Sequence, residues 1–310
     1  MPVLLPPVLL PLVSSPHYSF DFPERHRFPM QKFALLLEHL QHLGIANTDN
    51  VYRPGKARLD LLELAHCPEY LNNFINGSLS DKEVRRMGLP WSEGLVKRTL
   101  ISPNGTFLTA SLALRSGLAC HLAGGTHHAH YDFASGYCIL NDLAIAALAL
   151  VRQARVQRVL IFDCDVHQGD GTATILQDVA EITTCSIHCE KNFPQRKAKS
   201  DIDIEVKKGV GDHEYLNIVT DGLARALKTS QPDLVIYDAG VDVFEGDPLG
   251  MLNISLDGIR ARDAMIIKTV RDLGIPLATV IGGGYDKDQA ALARRHAIVV
   301  EEAHRYLSVL

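Results

Sequence analysis

The chain has 310 residues, 46% of them hydrophobic and 22% charged, which is enough for one large α/β domain or two ordinary ones. A net charge of -5 argues against a nucleic-acid binder that depends on a basic surface. No run of about 18 apolar residues occurs, so no membrane span is expected.

The apolar segment 1–13 carries four prolines and no basic region, which does not read as a signal peptide. Residues 29–43 have the spacing of an amphipathic helix closed by Gly44. A second helix is expected over 104–116, with Gly117 after it, and a strand-like run over 118–123 follows. Then come Gly124, Gly125, Thr126, His127, His128, Ala129 and His130. Residues 140–151 predict a buried helix, and 159–162 a buried parallel strand. That strand runs into Asp163-Cys-Asp165-Val-His167-Gln-Gly-Asp170-Gly171, after which the sequence turns helical. The polar, basic stretch 191–211 predicts a long loop with a short strand over Ile202–Val206. A helix over 212–228, a strand over 233–237, a helix over 255–273 and a strand over 277–281 complete the alternation, with one or two helices over 286–310. Such an alternation predicts a three-layer α/β/α architecture with a mostly parallel central sheet, one domain spanning 1–310. The six cysteines, Cys67, Cys120, Cys138, Cys164, Cys185 and Cys189, form no Cys-x-x-Cys pair. Several lie in or beside apolar runs, as free cysteines in a reduced, cytoplasmic setting do.

Polar clusters fall where strands end. In open α/β sheets ligands bind at the carboxyl ends of strands. Asp165 and His167 are two residues apart, so on an extended strand their side chains would share a side. A carboxylate and an imidazole placed together suit a divalent metal such as zinc. A lone Asp-x-His is ordinarily a turn with a hydrogen-bonded histidine. Here Asp238-Ala-Gly240-Val-Asp242 and Gly282-Gly283-Gly284-Tyr285 follow two further strands, so the clusters repeat from strand end to strand end. The pattern points to a metal-dependent enzyme.

Taken in order, these motifs resemble the histone deacetylase family of the arginase/deacetylase fold. The resemblance rests on the Gly-Gly-Thr-His127-His128-Ala run, Ala-Ser-Gly136-Tyr137-Cys138-Ile-Leu-Asn141-Asp142 and the cluster from Asp163 to Gly171. Ser186-Ile187-His188, Gly240-Val-Asp242-Val-Phe-Glu-Gly-Asp247-Pro248 and Gly-Gly-Gly284-Tyr285 continue it. His17-Tyr18 and the run from His26 to Met30 also look like the family, and 89–98 looks like its class IV branch and bacterial relatives.

The resemblance implies a zinc-dependent amidohydrolase that removes acyl groups, acetyl foremost, from lysine side chains of proteins. Deacylation of small acylated amines such as acetylpolyamines, or of longer acyl-lysines, is the alternative. It implies Asp165, His167 and Asp242 as metal ligands, an oxygen-rich set that iron(II) can also occupy. His128 becomes the general base, with His127 beside it in an electrostatic role; Asp163 orients His127 and Asp170 orients His128. Tyr285 becomes the oxyanion donor, and Gly136, Tyr137 and Phe193 a tunnel for the acyl-lysine chain. Most members carry Phe at the position of Tyr137. A structural potassium ion is implied at Asp163, Asp165, Ser186 and the backbone of His167 and Ile187. Two departures matter. Gly169 stands where a binuclear arginase has a further aspartate, which favours a lone metal. The segment 86–94 lacks the aspartate that many deacetylases use to hold the substrate backbone. No nucleic-acid or membrane partner is implied.

Overall fold

The structure, a computed structural model, describes residues 9–309. Eight strands are formed: β1 (Leu12–Val13), β2 (Val51–Tyr52), β3 (Leu118–His121), β4 (Val159–Asp163), β5 (Ile182–Cys189), β6 (Ile202–Val206), β7 (Leu234–Asp238) and β8 (Leu277–Val280). They make one sheet in the order β2-β1-β3-β8-β7-β4-β5-β6, and every neighbouring pair is parallel. Aliphatic runs such as Val159-Leu-Ile-Phe162 and Leu234-Val-Ile-Tyr237 are buried along their whole length, as strands covered on both faces must be. Asp163 is level with Asp238 on one side and with Ser186 on the other, so the carboxyl ends of β7, β4 and β5 form one edge.

The helices are α1 (Lys32–His42), α2 (Leu59–Leu62), α3 (Pro68–Ile75), α4 (Asp81–Met87), α5 (Glu93–Ser116), α6 (Asp142–Arg152), α7 (Asp170–Leu176), α8 (Asp212–Ser230), α9 (Leu256–Asp272) and α10 (Gln289–Ser308). One layer is built around α5, α6 and α7; the other runs α1, α10, α9, α8. The expected three-layer α/β/α architecture is therefore formed, with a sheet that is wholly parallel.

The differences from expectation are local. Helix α5 starts at Glu93, not at 104, and runs through Pro103. Ser92 caps it by accepting from the Leu95 amide at 3.1 Å, and burial of Leu95, Arg98 and Ile101 carries the helix past a residue that would break an isolated one. Helix α4 has a capping box between Ser80 and Glu83 and ends on Gly88 in the left-handed region. The segment 286–310 forms the single helix α10 within its described part. Among the described residues no helix is long and apolar enough to cross a membrane. The apolar start of the chain lies outside the described residues up to position 8, whereas Leu12 and Val13 are in the sheet.

Candidate active site

Strand β4 ends at Asp163, and the chain then bends. Asp165 and His167 therefore lie beyond the strand, and alternation along it does not align them. A turn does: Asp165 Oδ1 accepts from the His167 backbone N–H at 3.0 Å. This folds the imidazole back, placing His167 Nδ1 3.0 Å from Asp165 Oδ1 and 3.1 Å from Asp242 Oδ2. Asp242 comes from the loop after β7, and its Oδ1 accepts from Val166 N at 2.9 Å. Gly283, after β8, donates its N–H to Asp165 Oδ2 at 2.7 Å, and a side chain there would collide with both carboxylates.

All three side chains are buried, and Asp242 Oδ2 has no directed hydrogen bond. Burial alone would push Asp165 up, but the positive charge of His127 and the hydrogen bond from His167 hold it well below its ordinary range. Burial pulls His167 down, yet Asp165 and Asp242 outweigh it and raise it to about 10. Two buried carboxylates thus favour a positive charge at this point. An orphaned oxygen and an O, N, O donor set fit a divalent cation in that place.

The two histidines are set by the loop after β3. Asp142, the first residue of α6, accepts from the backbone N–H groups of Gly125 at 3.2 Å and Thr126 at 2.7 Å. Asn141 caps α6 through Ala144 N at 2.9 Å and donates from Nδ2 to Ala129 O at 3.2 Å. His127 Nδ1 then donates to Asp163 Oδ2 at 2.7 Å, His128 Nδ1 to Asp170 Oδ1 at 2.6 Å, and the two Nε2 atoms lie 3.2 Å apart.

Their charges differ. Burial pulls His127 down, but Asp163 and Asp165 outweigh it and hold it well above its ordinary value. For His128, burial and the neighbouring His127 charge act together and hold it down to about 4. The pair therefore favours a proton on His127 over one on His128. Asp170 also binds a third histidine: His130 Nε2 lies 3.1 Å from its Oδ2 and Nδ1 lies 2.9 Å from Thr174 Oγ1, with the ring stacked on Phe133 at 4.2 Å. Burial pushes Asp170 up, but the bonds from His128 and His130 outweigh it and hold it below its ordinary range.

Tyr285 follows the glycine turn after β8 and is buried, its N–H donating to Asp247 Oδ2 at 2.7 Å. Lys32 of α1 braces that turn by donating to Gly284 O at 3.3 Å, and burial pushes its ammonium down to about 8. Tyr285, Gly136, Tyr137, Phe193, His128 and His167 line one cleft of about 530 Å³. The Tyr137 ring lies 5.8 Å from that of Tyr285, and Phe193 meets His128 edge-on at 4.8 Å. Gly136 is required: a Cβ there would come 2.7 Å from His128 Cδ2.

Of the expected potassium ligands, Asp163 and Ser186 are adjacent across β4 and β5, with Ser186 Oγ 2.9 Å from His188 Nδ1. Gly169 leaves no space for an arginase-type aspartate, since even a Cβ would sit 2.5 Å from Asp163 Oδ2.

Sequence reasoning named no role for Asp142, His130, Asp247, Lys32 or Asp238. Asp238 is fully buried, neither oxygen has a hydrogen-bond partner, and burial with the Asp163 charge pushes it well above the ordinary carboxylate range. Four of the five lie in or beside the quoted motifs, and proximity to them was the available signal. Lys32 had none.

A family model described as histone deacetylase domain matches residues 26–301. An uncharacterised protein of Picosynechococcus is 48% identical over 289 residues, 93% of this chain and 96% of that one. Histone deacetylase 2 of Arabidopsis thaliana is 32% identical over 293 residues, 90% of this chain and 75% of its own. In a solved structure, the HDA15 HD domain shares the fold with a TM-score of 0.77 at 20% identity, covering 96% of this chain and 90% of that one. The matched span holds every strand-end cluster described above, and the chain belongs to the histone deacetylase family.

Proposed function

We propose that the protein is a zinc-dependent hydrolase, with iron(II) able to replace zinc, that cleaves the amide between an acyl group, acetyl foremost, and a lysine side chain. The observation that carries this reading is the convergence of the His127–His128 pair, each bonded to its own carboxylate, with the Asp165, His167 and Asp242 cluster and with Tyr285. Bound at that cluster, a divalent metal polarises the scissile carbonyl and makes the attacking water more acidic.

The chain's own groups do the rest. His128, neutral and fixed in one tautomer by Asp170, accepts the proton of the attacking water and returns it to the departing amine. His127, hydrogen-bonded to Asp163, favours a positive charge that lowers the cost of the negative charge developing on the carbonyl oxygen. The Tyr285 hydroxyl donates to the developing oxyanion, a bond typically worth about 3 kcal/mol. Gly136, Tyr137 and Phe193 enclose the methylene chain, each CH₂ contributing roughly 0.8 kcal/mol on burial. The crowding at Gly169 supports a single divalent ion. A potassium ion at Asp163, Asp165, Ser186 and the His167 and Ile187 carbonyls belongs to the same proposal, as does one catalytic domain in a reduced, cytoplasmic setting. The segment 86–94 offers no aspartate to a peptide backbone, and this favours small acylated amines as a second reading.

Purified protein is assayed on acetyl-lysine peptides, longer acyl-lysines and acetylpolyamines, with metal content measured. One divalent ion per chain and release of carboxylate and free amine are expected, and Tyr285→Phe should keep the metal while losing roughly 10²-fold in kcat. Two bridged divalent ions, or full activity in Tyr285→Phe, would refute the mechanism. Metal-loaded protein that cleaves none of these amides would refute the activity.

A further inference from the structure

Two clefts meet at Tyr285 and Leu249, at the mouth of the tunnel. The first is lined by Arg85 and Arg86 beside the tunnel residues. The second, of about 580 Å³, is lined by Arg25, Arg27 and Lys287, with Glu24 and Asp286. All five cations are exposed, and among the described residues none is in an ion pair. Of the two carboxylates, Asp286 is already engaged by Arg295 at 3.0 Å.

The segments that carry four of these cations are fixed by the fold. Arg85 and Arg86 occupy the last turn of α4, fixed at its other end by the Ser80–Glu83 capping box, and Arg86 lies over the Phe133 ring at 4.1 Å. The His26 ring, between Arg25 and Arg27, lies with Nε2 2.9 Å from Gly88 O, tying the second group to the end of α4. A chain of net charge -5 thus concentrates positive charge around its proposed substrate entrance. Charge of one sign around a cleft raises the local concentration of the opposite sign and steers its approach.

We propose that this collar selects acyl-lysine presented by an acidic segment, with Asp or Glu within a few residues of the modified lysine. The specificity presupposes the deacylase activity proposed above. Exposed arginines engage those carboxylates as the acyl-lysine enters between Tyr137 and Phe193. Basic segments and acetylpolyamines, which keep free ammonium groups, are repelled by the same collar.

The test uses metal-loaded full-length protein and three peptides with one acetyl-lysine core, flanked by Asp and Glu, by Asn and Gln, or by Lys and Arg, with a monoacetylated polyamine as a cationic small substrate. Both kcat/KM and binding, read by fluorescence anisotropy, are measured. At low salt the acidic peptide should exceed the neutral one by about fivefold and the basic one by about twentyfold in both readouts. The gaps should fall below about twofold at about 0.5 M salt. They should also shrink in the double variant Arg25→Gln, Arg85→Gln. Equal treatment of the peptides, preference for the basic peptide or the polyamine, or an acidic preference that survives both salt and the double variant would each overturn the collar. If no peptide is hydrolysed, the deacylase reading fails and the binding order still decides: acidic peptides bound most tightly sustain the collar, equal binding rejects it.

Discussion

Asp170 is shared between two histidines, and the sharing bears on the proposed base, His128. Its Oδ1 takes the His128 proton donor, while its Oδ2 takes His130. A carboxylate that already accepts from His130 draws less strongly on His128, which contributes to a neutral His128. Removing His130 should leave Asp170 wholly to His128 and raise the basicity of that imidazole. Because protonation of His128 removes the base, the acid limb of kcat/KM should then move to higher pH in His130→Gln, with the alkaline limb in place. An unmoved acid limb, or an equal loss at every pH, would reduce His130 to packing. The Asp165, His167 and Asp242 cluster, the histidine pair and Tyr285 could be picked out of the sequence as candidates because each combines a strand end, glycines and a reactive side chain. Asp142 and Asp238 could not. One accepts from backbone N–H groups of the histidine loop and the other is buried with no hydrogen-bond partner, and a sequence prints both with the same letter as a candidate ligand.

At the level of elements, one buried arginine holds together the two loops that carry the proposed metal ligands. Arg262 of α9 is fully buried and donates to Gly240 O at 2.8 Å and Cys164 O at 3.4 Å, while Nε pairs with Asp263 at 2.9 Å. Those carbonyls belong to the loops that present Asp242 and Asp165. Arg262→Leu would leave the buried Asp263 with the Tyr237 hydroxyl as its remaining partner and free both carbonyls. It should cost about 3–5 kcal/mol in denaturant unfolding, and a change below about 1 kcal/mol would remove Arg262 from this role. Elements with a full apolar or amphipathic pattern, such as α1, α6, β4, β7 and β8, were legible. The two-residue strands β1 and β2 are too short for any period to appear, and α2 carries only one helical turn. Strand β5 mixes threonine, serine and histidine with its apolar residues, so its burial comes from the neighbours β4 and β6 and not from its own pattern.

For the molecule as a whole, the strand-end edge gathers more carboxylates than its histidines offset. Asp163, Asp165, Asp238, Asp242 and Asp247 are buried along it with His127 and His167. Burial and the Asp242 charge push Asp247 up to about 7, a measure of how strongly the edge resists further negative charge. A divalent ion bound only by the folded chain should therefore stabilise it by about 3–4 kcal/mol at saturation, and stripping the metal with a chelator should lower Tm by about 5 °C or more in scanning calorimetry. An identical Tm with and without metal would show that the cluster does not hold one. The same sheet has a weaker point at the opposite end of the chain. Strand β1 is only Leu12–Val13, yet it is interior: Leu12 N donates to Asn50 O at 2.8 Å, and Leu122 N donates to Val13 O at 2.8 Å. Deleting these two residues would leave Leu118-Ala-Cys-His121 as an open border with no lysine or proline to blunt it, ready to pair with another chain. Shortening the protein from its beginning should then yield self-associating material, visible by light scattering, even though every proposed catalytic residue is still present.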